Sequence, residues 1–245
     1  MEDTLKIVEA PRAQPLYAQV KALMMQRLIA GQWRPGEILP SEFQLAAEFG
    51  VSQGTVRKAL DEWTAENVVV RRQGRGTFVA EHDDHRALFH FFHLVGPDGE
   101  RRLPESRLIS VRKGLAGRIE ARRLEIGQGA PVIRIRRVRE LDGRAAIAET
   151  IAVPQKLFPD LADIREMPNT LYDLYEQRYG ITIARAMERL AAVAADERDA
   201  KLLEIAPGAP LLEIDRTALA LDGAPVEWRV SRCLTATHHY RVELG

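Results

Sequence analysis

Two groups of polar residues, far apart in the chain, have types and spacings suited to recognition chemistry. In the first, Gln53, Thr55, Arg57 and Lys58 follow Ser52 at helical spacing and fall near the N-terminal end of one exposed helix face. An arginine so placed can donate two hydrogen bonds to guanine O6 and N7, and a glutamine can bind adenine in the same two-point way. A helix N-terminus also attracts phosphate. Arg71, Arg72 and Arg75 flank the turn at Gly74, and no acidic residue stands between Glu66 and Glu81. That makes a local basic patch. Taken singly, each cation could serve only to keep a surface wet; the ordered set points to DNA.

The second group is Arg137, Arg139 and Glu149. Side chains alternate along a strand, so Ile133, Ile135, Arg137 and Arg139 share a face if no bulge intervenes. Ile147, Glu149, Ile151 and Val153 share one on the returning strand. Charges in line with core residues must be paired, turned outward by a bulge, or used to bind something. A pocket whose arginines clamp a phosphate or carboxylate, with Glu149 taking a hydroxyl or amine, is the functional reading. An internal Arg–Glu ion pair is the alternative. Two histidine pairs, His82 with His85 and His90 with His93, have spacings that could serve a metal, but no carboxylate or cysteine framework accompanies them. Neither metal nor cofactor is expected, and no nucleophile–base constellation suggests an enzyme.

These residues need elements to hold them. After Pro15, Leu16, Val20, Leu23, Met24 and Leu28 mark a helical face ending at Gly31. Ser41 with Gln44 reads as a capping box opening a short helix through Phe49, with Leu45, Ala46 and Phe49 inward. Gly50 stands where a helix stop wants positive φ, and Ser52 caps the next helix. That helix buries Val56, Ala59, Leu60 and Trp63. Two short helices about a tight glycine turn are a helix-turn-helix. The run from Val68 to Val79, strand–glycine turn–strand, adds a β-wing with Arg75 at its tip.

Farther on the chain repeats itself. "LEIGQGAPVIRI" from Leu124 recurs as "LEIAPGAPLLEI" from Leu203, identical at seven of twelve positions. Each copy follows an amphipathic helical stretch, near 116–123 and 196–202. Each continues into a long strand, an Asp-Gly hairpin signal (Asp142-Gly143, Asp222-Gly223) and a second strand. Two such units predict one antiparallel sheet with helices on a face, an α+β domain. The polar segment 81–88, "EHDDHRAL", reads as a linker between a domain at 1–80 and another at 89–245.

With 245 residues and 46% apolar content, the chain can build two cores. Thirty-five basic residues balance 35 acidic ones, so DNA binding must rest on the local patch. Cys233 is the only cysteine, which excludes an internal disulfide and fits a reducing cytoplasm. No apolar run approaches a membrane span, and no signal peptide is expected.

The stretch "LPSEFQLAAEFGVSQGTVRKALDEWTAENVVVRRQGRGTFVA" resembles the DNA-binding domain of the GntR family of bacterial regulators, over about residues 12–80. The resemblance implies that Ser52, Gln53, Thr55 and Arg57 face DNA from the recognition helix, and Gly74 and Arg75 from the wing tip. Ser41, Lys58, Arg71 and Arg72 complete the candidate DNA-binding set. Two departures, Phe43 and Gln53 where the family often has arginine, bear on which operator is read. "RRVRELDGRAAIAETIAVP", followed by "NTLYDLYEQRYGITIARA", resembles the UTRA effector domain of the HutC branch, over about 90–245. That likeness implies a chorismate-lyase-like α+β fold, a homodimer on palindromic double-stranded operator DNA, and an anionic small-molecule effector. It assigns effector contacts to His90, Phe91, Arg137, Arg139, Glu149, Thr170, Tyr172 and Glu227. The first pocket loop reads His90-Phe91-Phe92 where the family is rich in Ser or Thr. Cys233-Leu234-Thr235-Ala236 stands where a tyrosine and Arg-x-Asp are expected. Both departures shift the expectation from phosphosugars toward a carboxylate or a more apolar effector. Repression with release by the effector is expected; activation, or a lyase-like activity of the second domain, are the alternatives.

Overall fold

The computed structural model describes residues 14–80, 92–96, 98–100 and 102–242. The expectations for His82, His85, His90, Phe91 and the 81–88 linker lie outside them. Contacts divide the chain into two compact units, meeting after Ala80.

The first unit contains α1 (Leu16–Ile29), α2 (Glu42–Phe49), α3 (Gln53–Ala65), and a hairpin of β1 (Val69–Arg72) and β2 (Gly76–Val79). Its boundaries follow from local chemistry. The Ser41 side chain accepts from the backbone N–H of Gln44, while Gln44 accepts from that of Ser41. Gly50 ends α2 at φ 64°, a left-handed conformation that costs glycine nothing. Ser52 then caps α3 through the N–H of Thr55. Trp63, Val56 and Ala59 of α3 are completely buried, with Leu60 beside them. The α1 face is narrower than its periodicity suggests. Val20, Met24 and Leu28 are buried, but Leu16 and Leu23 are exposed. A stripe at i, i+4, i+8 is all that α3 covers.

The second unit is built on a six-stranded antiparallel sheet. Its strands are β4 (Glu105–Leu115), β5 (Pro131–Leu141), β6 (Arg144–Pro154), β7 (Ile183–Ala194), β8 (Pro210–Ala220) and β9 (Pro225–Leu234), in the order β4-β5-β6-β9-β8-β7. A small pair, β3 (Leu94–Val95) with β10 (His239–Tyr240), lies apart. The sequence repeat is now explicable. Strand–helix–hairpin occurs twice, with α4 (Arg118–Leu124) in the first copy and α6 (Glu197–Leu203) in the second. Each copy alone leaves an edge strand unpaired; β6 against β9 joins them into one sheet. α4 packs on Val132, Ala152 and Trp228, and α6 on Ala148 and Leu211, one sheet face between them. The other face carries α5 (Leu171–Tyr179), whose Leu171, Tyr172 and Tyr175 cover Ile133, Ile135, Ile151 and Val153.

The two hairpins differ in their turns. Asp142 and Gly143 both have positive φ, the two-residue turn that matches strand twist. At Asp222-Gly223 only Gly223 does, and four residues instead of two join the strands; a register shift accompanies both hairpins, at Arg139/Glu140 and at Ala218/Leu219.

Candidate functional site

On the first unit, the caps that start α2 and α3 also set the candidate DNA-contacting surface. Ser41 and Ser52 are held by capping, and the hydroxyls of Ser52 and Thr55 lie 2.9 Å apart. The cations around them are already engaged. Arg57 Nε donates to Glu42 Oε2 at 2.9 Å, and Arg71 lies 2.6 Å from Asp61 and 3.6 Å from Glu42. Lys58 lies over the Tyr17 ring, and Arg72 over that of Phe78. Gln53 and Arg75 are exposed, and Gly74 turns the wing at φ 68°. The stretch without acids between Glu66 and Glu81 is therefore basic along the chain but not in space, because α2 and α3 bring Glu42 and Asp61 to it.

On the second unit, side-chain parity holds through Arg139; the register shift comes just after it. Arg137, Arg139, Ile147 and Glu149 consequently line one cavity. Arg137 and Glu149 are direct cross-strand partners. Arg137 Nε donates to Glu149 Oε2 at 2.5 Å, and both side chains are nearly sealed from solvent. Here the ion pair and the pocket, posed as alternatives, coexist. Burial alone would raise the Glu149 carboxyl, but the guanidinia of Arg137, Arg229 and Arg139 reverse this and hold it well below the usual carboxylate range.

Arg139 is different. Its Nη2 donates to the Pro104 carbonyl at 3.0 Å and to Asn169 Oδ1 at 3.3 Å, and its Nε is buried without a partner. No carboxylate pairs with it among the described residues. Burial and then the neighbouring Arg137 pull its proton affinity down, to about 9. A guanidinium holds its proton tenaciously, so that depression measures charge awaiting a counterion.

Thr170 and Tyr172, at the start of α5, line the same cavity. Glu227 does not. It is completely buried behind the wall, accepting from Tyr172 at 3.2 Å, Tyr175 at 2.9 Å and both ends of Arg229 at 2.9 Å. It holds Arg229 and the tyrosines and, unlike the other described residues expected to contact the effector, is not part of the cavity lining. Burial, then Glu227, pushes the Tyr172 phenol up to about 12, so it stays protonated. Burial likewise pushes the Cys233 thiol well above its ordinary range, and the cavity offers no thiolate.

Sequence reasoning missed Arg216, Arg229, Ser231 and Asn169, which also line the cavity. The repeat contains the signal. The offset that carries Leu124 to Leu203 carries Arg137 to Arg216, and Arg229 faces Arg216 across the register as Glu149 faces Arg137. Arg216 is paired, its Nε donating to Glu188 Oε1 at 2.5 Å. Phe92, Leu94, Ile147, Ile214 and Cys233 form an apolar wall beside these charges, the last three on the same sheet face.

Comparison with known proteins agrees with both halves. Residues 16–79 match the model for bacterial regulatory proteins of the gntR family, and residues 99–239 match the UTRA domain. The chain belongs to the GntR family, in the branch that carries a UTRA domain. It is accordingly a transcription regulator with a DNA-binding N-terminal domain. The histidine utilization repressor of Pseudomonas putida is 32% identical over 82% of this chain and 81% of that one. The HTH-type transcriptional repressor NagR of Bacillus subtilis is 31% identical over 87% and 88% respectively. Among solved structures, the ligand-binding domain of a GntR-family transcriptional regulator from Bordetella bronchiseptica superposes with a TM-score of 0.57. It shares 32% identity and covers 62% of this chain and 96% of that one. PhnF from Mycobacterium smegmatis gives 0.56 at 25% identity, over 92% and 99%. In this GntR regulator no helix among the described residues is long and apolar enough to cross a membrane.

Proposed function

We propose that the protein is a homodimeric repressor that leaves a palindromic operator when a small anion occupies the UTRA cavity. The observation that supports this most is Arg139: a buried cation, at a cavity wall, with no carboxylate paired to it among the described residues. A carboxylate or phosphate placed there gains a charge-assisted hydrogen bond and removes an existing cost. The apolar wall favours an effector with a hydrocarbon or ring portion beside its acid group, and Ser231 and Tyr172 offer hydroxyls for polar substituents. The relatives named as repressors are consistent with this direction of control.

In this reading Arg57 and Gln53 read base edges, Arg71, Arg72 and Arg75 meet phosphates, and Ser41, Ser52, Thr55, Lys58 and Gly74 complete the contact surface. Effector binding acts by favouring one of two dimer arrangements, only one of which spaces the two recognition helices for the operator. Phe92 and His93 line the cavity and continue in sequence from the segment leading to the DNA-binding unit, so their position in the bound state is the natural lever. The test is a thermal-shift screen of carboxylates, amino sugars and sugar phosphates, because a ligand of the native state raises its melting temperature. Hits are then titrated against a protein–DNA complex whose operator has been selected from a random duplex pool. Release of DNA by a hit in wild type, and its loss in Arg139→Gln, is the expected result. An Arg139→Gln protein that releases DNA at wild-type effector concentrations would move the effector elsewhere.

A further inference from the structure

On the sheet face opposite the effector cavity, the two half-domains treat one equivalent position differently. In the second half, Asp215 on β8 is fully engaged: Arg123 of α4 forms an ion pair with it, and Trp228 Nε1 donates to it at 2.8 Å. The repeat places Arg136 of β5 at the matching position, facing Thr150 across the register as Asp215 faces Val230. The counterparts of Arg123 and Trp228 are Leu202 and Ala148. An apolar side chain and a methyl cannot do what a guanidinium and an indole do. A cleft remains, lined by Arg136, Thr150, Arg198 and Arg232 and also by Glu149, Asp196 and Asp199.

Three arginines and three carboxylates line this cleft, so what distinguishes it is how they pair and not a net charge. Arg232 is held by Asp196, Asp199 and Glu213 at 3.1, 2.6 and 3.0 Å, which engages the carboxylates at the cleft wall. Asp196 and Asp199 are also tied to each other's backbone in the cap of α6. Arg136 and Arg198 have no carboxylate partner among the described residues. Burial, then Arg198, Arg112 and Arg134, pull the proton affinity of Arg136 down, as expected of cations gathered without a counterion.

We propose that this cleft is a second anion site, taking a phosphate-sized oxyanion between the guanidinia of Arg136 and Arg198 with the Thr150 hydroxyl as a further donor. Arg136 and Thr150 point away from the effector cavity, because neighbouring residues on a strand point to opposite faces, although Glu149 lines both. The cleft is back-to-back with that cavity: Arg136 adjoins Arg137, and Thr150 adjoins Glu149. An anion fixing β5 and β6 from this side stiffens the two strands that carry the Arg137–Glu149 pair. The site is therefore placed to tune effector binding.

The probe is inorganic phosphate, titrated into the full-length protein against potassium chloride of equal ionic strength, with melting temperature as the readout. A saturable rise in phosphate alone is expected in wild type and equally in Arg139→Gln. Arg136→Gln and Arg198→Gln should lose that rise while melting no lower than wild type in chloride, since each removes an uncompensated charge; Arg198 is exposed, so its variant tests the site even if Arg136→Gln folds poorly. A rise retained in Arg198→Gln, a rise matched by chloride, or a rise lost in Arg139→Gln would each overturn the second site. The first two leave the effector reading untouched; the third would put phosphate in the effector cavity.

Discussion

Arg137 and Arg139 stand two positions apart on one strand, yet their partners separate them. Removing Arg137 leaves Glu149 buried without its hydrogen-bonded cation, with Arg229 3.6 Å away as the nearest remaining counter-charge. Breaking a buried pair in this way costs about 3–5 kcal/mol, so Arg137→Ala should lower the denaturant midpoint markedly without any ligand. Arg139→Gln should fold with near wild-type stability, bind operator and ignore effector. Chemical denaturation and operator titration of the two variants separate a structural charge from a ligand-binding one. The same logic applies to the DNA surface, where Glu42 holds Arg57 and approaches Arg71. Glu42→Gln frees Arg57 while Asp61 still holds Arg71, and tighter DNA binding with a steeper salt dependence is expected. Arg57→Ala should cost about 1–3 kcal/mol and relax preference at one base pair, as seen by competition among single-site operator variants. The parity of the two arginines was legible in the chain; their partners were not, because Asn169 and Pro104 reach Arg139 from distant segments.

The elements of the DNA-binding unit are specified locally, and their failures should be local too. Gly50 has open space around it but sits at φ 64°. Gly50→Ala therefore meets no clash, only the left-handed backbone penalty of about 1–2 kcal/mol. Differential scanning calorimetry should show the transition of the DNA-binding unit moving down while that of the UTRA unit stays. Caps, the glycine stop and the α3 face were readable because each depends on residues within four positions. The α1 face was over-read at Leu16 and Leu23, since periodicity shows which residues can face a partner, not how wide the partner is. The hairpins show the same limit: the two Asp-Gly pairs sit in loops of two and four residues, so the dipeptide alone does not fix the turn.

For the whole molecule, one helix-turn-helix reads few base pairs, and the proposed dimer follows from that need. Light scattering at operator-saturating concentration should give twice the chain mass; a monomer would count decisively against the model of release. Stability should also respond to acid through Glu149. Its folded pKa is depressed below the ordinary carboxylate value, so its contribution is complete above about pH 4.3, where an unfolded glutamate ionises. That contribution is lost as pH falls toward the folded value. The UTRA transition should therefore drop below about pH 4. Glu149→Gln should be less stable at neutral pH and show a shallower acid decline, measured by melting temperature against pH.

The chain by itself determined the two-part architecture, the helix-turn-helix with its wing, the repeat and the shared face of Arg137, Arg139 and Glu149. Each of these is written in short-range spacing or in direct self-similarity, which survive without knowledge of what packs where. Only the tertiary structure decided that the basic patch carries Glu42 and Asp61, that Glu227 stands behind the pocket wall, and that Arg216 and Arg229 complete it. It alone showed Arg139 and Arg136, on opposite sheet faces, without carboxylate partners among the described residues. Those outcomes depend on which distant side chain arrives at a given charge, and β6 meeting β9 brings together residues some eighty positions apart. Electrostatic pairing falls off with distance in space and is indifferent to distance along the chain.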